Sequence, residues 1–117
     1  MTSTTTVRLR PIGPRAMAVE IGGDVTAASE VPLTAAYEEA TAQGATLILL
    51  DFAPMAYMNS GGIGLLVTLL VRVQRAGQRL MATGLTEHYR QILSLTRLDE
   101  AIGIVASEAD ALAAAGR

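Results

Sequence analysis

Residues 45–52 read A-T-L-I-L-L-D-F, and residues 53–70 continue A-P-M-A-Y-M-N-S-G-G-I-G-L-L-V-T-L-L. The first run is short, almost wholly apolar, and bounded by Gly44 and Pro54. That pattern predicts a strand, Ala45–Phe52, buried on both faces, with Asp51 where the chain leaves the sheet. Asn59 or Ser60 then starts a helix whose strongly apolar part, Leu65–Ala76, is stopped by Gly77. A doubly buried strand feeding an apolar helix is the repeating unit of a parallel sheet with crossover helices.

The flanking sequence extends the unit in both directions. Val7–Arg10 alternates and reads as an edge strand. Pro11–Arg15 contains Gly13 and Pro14 and predicts a turn. Ala16–Ile21 is a second strand, ended by Gly22 and Gly23, so a hairpin opens the domain. From Ser29 to Gln43, Val31, Leu33, Tyr37 and Ala40 fall on a helical spacing, with Ser29 as N-cap, Pro32 in the first turn and Gly44 just past the end. Arg79–Thr83 is a further strand. Thr86 caps a helix running to Leu95, Ala101–Val105 is a last strand, and Ser107 with Asp110 opens an Ala-rich helix. The expected fold is α/β: one domain over residues 1–117, with about five strands, mostly parallel after the hairpin, and about four helices. Residues 1–6 are expected to fray.

Composition narrows the function classes. The chain has 117 residues, 50% hydrophobic and 17% charged, which is a folding composition. It has no cysteine, so disulfides, thiolate metal sites and a cysteine nucleophile are excluded. All nine basic residues are Arg, the net charge is −2, and aromatic residues make up 3%. Nucleic acid is therefore not an expected partner. The mean hydropathy of +0.37 is high, yet the apolar stretch Gly61–Val71 stops at Arg72, well short of the ~20 residues of a spanning helix. The start, Met1–Arg8, lacks the apolar core of a secretion signal. A cytoplasmic protein without membrane insertion is expected.

The turn at Ser60–Gly64 is where chemistry could sit. Unpaired N–H groups and the dipole of a helix start favour negative charge, and Gly61, Gly62 and Gly64 leave the backbone uncovered. The site suits a phosphate, either from a ligand or attached to Ser60. The plainer alternative is an Asn or Ser cap followed by glycines that let the helix pack near the sheet. It is not a P-loop, for lack of Lys, nor a nucleophile elbow, since Met58 stands where the first glycine of G-x-S-x-G belongs. The one histidine, His88, is read as a solvent-facing residue at a helix start, and Asp51 as a turn residue. No catalytic residue, metal or cofactor is expected. Met55, Tyr57 and Met58 fit a partner surface or, on the plainer alternative, the core for Met58 and a half-buried loop for Met55 and Tyr57. Arg72, Arg75 and Arg79 read as a solvated helix end. The Ala109–Ala115 helix packs on the sheet or forms a dimer face.

The stretch Y-M-N-S-G-G-I-G-L-L after L-I-L-L-D-F resembles the signature of STAS domains of the anti-sigma-factor antagonist family, whose usual pattern is D-S-S-G-L-G-x-L. The earlier I-G-G-D-V-T is similar to that family's G-E-L-D element, and L-T-E-H-Y-R-Q-I-L-S-L-T-R-L to its third helix. The resemblance implies a STAS-like fold and a non-enzymatic, partner-switching regulator. It places Ser60 on the serine that an anti-sigma factor serine kinase phosphorylates and a phosphatase resets. Gly62, Ile63 and Gly64 fall on the segment lying against the kinase, and Asp24 and Thr26 on a loop at the same end; Met58, Asn59 and Gly61 complete the implied contact surface. Asn59 replaces the usual Asp, Gly61 the second Ser, and Thr26 the usual Asp of its loop. Some STAS domains serve as unphosphorylated adaptors in signalling or transporter complexes, and a small nucleotide- or anion-binding domain is a further alternative. A homodimer is compatible with the sequence.

Overall fold

In the computed structural model, which describes residues 4–116, the chain opens with a hairpin. Strands β1 (Thr6–Gly13) and β2 (Ala16–Val25) pair antiparallel through Pro14 and Arg15, the latter at φ 59°. The turn is shorter than the expected Pro11–Arg15, because Pro11 stays in β1 beside an irregularity in the ladder. Among the described residues β1 has a strand neighbour on one side only, the position where a residue without N–H is tolerated. Fraying is the expectation over residues 1–6. Residues 1–3 lie outside the described part, but Thr6 is in the strand and the Thr5 hydroxyl donates to the Asp24 carbonyl at 2.7 Å.

β3 (Leu47–Asp51) pairs in parallel with the first half of β2, and β5 (Arg79–Thr83) with β3. β6 (Gly103–Ile104), shorter than the expected Ala101–Val105, extends the sheet beyond β5. The order is β1-β2-β3-β5-β6. A sixth strand, β4 (Met55–Met58), pairs with the far half of β2, joining Gly23 to Met55, Asp24 to Tyr57 and Val25 to Met58. Because β4 supplies hydrogen-bond partners there, β2 runs on through Gly22 and Gly23 instead of ending at them.

The alternating side chains of β3 divide the interior. Ile48 and Leu50 face a large core shared with α1 (Glu30–Ala42), α2 (Ser60–Arg75) and α3 (Glu87–Leu95). Leu47 and Leu49 face a smaller one closed by Ala111 of α4 (Glu108–Ala115), together with Ala16 and Met81. The Ala-rich helix thus packs on the sheet, and the Arg79 side chain donates to its Ala114 carbonyl at 2.8 Å. Arg10 ties β1 to the same helix, at 2.8 Å from Glu108 and 3.0 Å from Glu20. In α1, Leu33, Ala36, Tyr37 and Ala40 are buried, but Val31 is 77% exposed. Two residues before Leu33, it points about 200° away around the helix.

The result is one small α/β domain, a six-stranded mixed sheet with helices on both faces. Ile48, fully buried, is expected to cost about 2–5 kcal/mol on change to Ala. Leu95, 84% exposed, should cost less than about 0.5 kcal/mol. Urea unfolding of both variants checks the assignment of inside and outside.

Candidate functional site

The site end of the domain is where β2 and β4 finish and α2 begins. Asn59 is the N-cap of α2, in extended conformation, and its Oδ1 accepts from the Gly62 N–H at 3.1 Å. That satisfies one of the orphan donors of the first turn. The Asn59 N–H in turn donates to the Val25 carbonyl at 3.2 Å, which fastens the start of α2 to the end of β2. Ser60, the first helical residue, is exposed. Among the described residues, its hydroxyl is engaged by no hydrogen bond.

The three glycines play different parts. A Cβ on Gly62 would collide with the Val25 carbonyl oxygen and lie 2.8 Å from Met58 Cγ. On Gly61 it would come within 2.8 Å of the Ala27 nitrogen. On Gly64 it would meet nothing within 4 Å. Gly62 and Gly61 therefore allow the helix to rest on β2 and on the following turn, as the plainer sequence reading held, while Gly64 keeps an outer helix face bare.

Beside this start lies a second capped turn. Residues Ala27–Ser29 form one turn of 3-10 helix leading into α1. The Ala28 N–H donates to Thr26 Oγ1 at 3.1 Å, and the Thr26 N–H donates to Ser29 Oγ at 2.9 Å. This reciprocal pair is a capping box. Ser29 holds the expected N-cap position of α1 but makes no side-chain cap bond there; its hydroxyl answers Thr26, which caps the 3-10 turn. Ser29 is completely buried; its hydroxyl also bonds that of Thr5, which itself donates to the Asp24 carbonyl. These bonds hold the Asp24 carbonyl and the side chains of Thr26 and Ser29 in place.

Ser60, Asn59, Gly61, Ile63 and Gly64 come together with Asp24 and Thr26 at one end, all at least partly exposed. Met58 does not share that surface. It is 5% exposed and belongs to the main core, because its β-strand alternation turns it inward while Tyr57, 49% exposed, turns out. Gly62 is likewise buried. Both are corrected from contact residues to packing residues. Two supports carried no functional signal in the sequence. Ala27 fills the space beside Gly61, and Tyr89 of α3 accepts the Met58 N–H at 3.0 Å, bracing β4 from outside the sheet. His88 is exposed, with its ring edge-on to Tyr89. Arg72 is occupied by Glu38 at 3.3 Å and stacks over Tyr37. No group of three or more His, Cys, Asp or Glu side chains forms a metal cluster among the described residues.

The glycines can be told apart by stability. Gly62→Ala is expected to destabilise by about 1–3 kcal/mol through overpacking, although Ala is the better helix former. Gly64→Ala, with open space, should stabilise by about 0.5–1 kcal/mol. Asn59→Ala should cost about 1 kcal/mol through the lost cap. Thermal and urea unfolding of the three variants reads all of these.

Among solved structures, an anti-sigma factor antagonist from Mycobacterium paratuberculosis superposes with a TM-score of 0.79 at 17% identity, covering 95% of this chain and 93% of that one. The Bacillus cell fate determinant SpoIIAA, in its phosphorylated form, gives 0.72 at 17% identity, over 94% of this chain and 99% of that one. A sulfate transporter family protein from Wolinella succinogenes gives 0.77 at 16% identity, over 92% and 89%. At these identities the likeness is one of fold. The family model STAS_2, described as "Mlab, STAS domain", matches residues 10–106 and so takes in β2 through β6 and the whole site end. The chain belongs to the STAS_2 family of STAS domains.

Proposed function

We propose that the chain is an anti-sigma-factor antagonist: a non-enzymatic binding module whose Ser60 end docks on an anti-sigma factor serine kinase and is released by phosphorylation of Ser60. The observation that carries this reading is the setting of Ser60. An exposed hydroxyl stands at the first position of a capped helix, on backbone clamped to β2, beside the capped turn that starts at Thr26. The fold similarity to the Mycobacterium antagonist and to SpoIIAA in unphosphorylated and phosphorylated forms supports it.

A phosphate on Ser60 adds about −1.5 to −2 charge. The helix start tolerates that charge, worth about 0.3–1 kcal/mol in its favour when exposed, so the fold itself changes little. The effect falls on the docked partner. A dianion pressed into a close contact loses its hydration, and a hundredfold loss of affinity needs only about 2.8 kcal/mol. A phosphatase acting on phospho-Ser60 restores binding. ATP and Mg²⁺ belong to the kinase, so this chain requires no cofactor. Cytoplasmic placement goes with such partners.

A second reading is favoured by the "Mlab, STAS domain" description of the family, by the sulfate transporter neighbour and by Asn59, which is neutral where the acceptor's neighbour is usually acidic. It is an unphosphorylated adaptor in a transporter or signalling complex. Phosphate mapping of the protein from its native cells, by intact mass and peptide fragmentation, separates the two. The switch predicts phosphate on Ser60, its loss in Ser60→Ala, and a partner affinity about 100-fold weaker in Ser60→Glu. An unmodified Ser60 across growth and stress conditions, with the partner retained by Ser60→Glu, establishes the adaptor instead.

A further inference from the structure

Thr5 lies outside the motif and outside the hydrogen-bonded ladder of β1, whose first pair is Thr6 with Gly22. Its half-buried side chain continues the alternation of Val7 and Leu9, which pack on the large core. At Thr5 that row meets a polar turn instead. The Thr5 hydroxyl donates to the Asp24 carbonyl at 2.7 Å and bonds the hydroxyl of the completely buried Ser29. The preceding residue approaches β2 as closely, since the Thr4 carbonyl occupies the place that a Cβ on Gly23 would take. Gly23, at φ 74°, stands beside a shift in the β2–β4 register. The missing side chain and the irregular ladder together admit the start of β1.

We propose that Thr5 is a positioning residue for Ser60, acting through the turn at Ala27–Ser29. A series of contacts carries the effect. Thr5 holds Ser29, and the Ser29 hydroxyl accepts the Thr26 N–H at 2.9 Å. Ala27 lies between those two and packs against Gly61, where a Cβ would come within 2.8 Å of the Ala27 nitrogen and 3.1 Å of its Cβ. Gly61 follows Ser60 in the first turn of α2. The turn therefore touches β1 through Ser29 and the start of α2 through Ala27.

The hydroxyl of Thr5 has no substitute among the described residues. Ser29 carries a single O–H. Without Thr5, its remaining acceptor is the Asp24 carbonyl at 3.3 Å, which is long for an O–H donor. Ser29 would then keep its bond to Thr26 and lose its link to the β1 end. A buried polar network is rigid when complete and loosens when one member is taken away. The Asn59–Val25 bond fastens the start of α2 to β2, while Thr5 fastens the turn packed against that start. This positioning holds whatever meets the Ser60 end; an effect on phosphorylation of Ser60 rests on the function proposed above.

The test is amide hydrogen exchange of the full chain, read by NMR with no partner present. Thr5→Val keeps the shape of the side chain and removes the hydroxyl; Thr5→Ser keeps the hydroxyl. Thr5→Val is expected to speed exchange about tenfold at Thr26 and Ala28, the scale of one lost hydrogen bond. At Asn59 and Gly62 the expected change is about threefold, the low end of coupling between neighbouring contacts. Ile48 and Leu50 in β3 should keep their rates, and Thr5→Ser should exchange as the unaltered chain does. Ser29→Ala breaks the same link from its other side, so adding Thr5→Val to it should speed exchange no further. Exchange faster by one factor throughout, β3 included, would reduce Thr5 to a contributor to overall stability and overturn the proposal. So would unchanged rates at Asn59 and Gly62, or additive effects in the double variant. Since no partner takes part, these outcomes stand apart from whether Ser60 is phosphorylated, and failure of either reading is visible by itself.

Discussion

The whole site end depends on one close approach, that of the first turn of α2 to the carbonyl of Val25. Gly62 has no Cβ to obstruct it, and the Asn59 N–H bonds the same carbonyl. Those two facts set the angle at which α2 leaves β4, and with it the position of Ser60. The same seating brings Gly61 against Ala27, so the turn that begins α1 is located by the helix that begins α2. β4 would otherwise be a short, marginal strand; it is held because Met58 is buried under α2 and its N–H is taken by Tyr89. A single contact between a strand end and a helix start thereby organises β2, β4, α1, α2 and α3.

The elements that were legible in the sequence are those whose signal lies in one uninterrupted stretch. Leu47–Leu50 and Leu80–Thr83 are continuous apolar runs between turn residues, and both are strands buried on two faces. Asn59, Ser107, Gly44 and Gly77 announce helix ends by residue type, and Gly44 and Gly77 take the positive φ that type suggests. What was hidden is non-local. β4 has only M-A-Y-M to show for itself, and the extension of β2 through Gly22 and Gly23 is visible only once β4 lies beside it. The 3-10 turn that Thr26 caps ahead of α1 has no signal of its own in the sequence, and the Ser29 hydroxyl is drawn into it and toward Thr5 instead of capping α1. Met58 was ambiguous because a four-residue strand has no period long enough to fix its face. The residues of the candidate site were legible as a motif, but the division between those exposed at the surface and those that hold the backbone required the packing.

The pairing of Gly23 with Met55 joins positions 32 residues apart, and this bears on how the chain acquires its site during folding. Hairpin β1–β2 is local and closes cheaply, whereas the β2–β4 ladder must wait for α1 and β3 to be threaded between its strands. The Ser60 turn therefore exists in its working shape only after the topology is complete. A linear peptide copied from residues 51–70 contains every letter of the motif and lacks Val25, Ala27 and Tyr89. A binder that read the turn by its shape would discriminate the finished domain from the same segment in a nascent or unfolded chain, and its binding would double as a check that folding has finished.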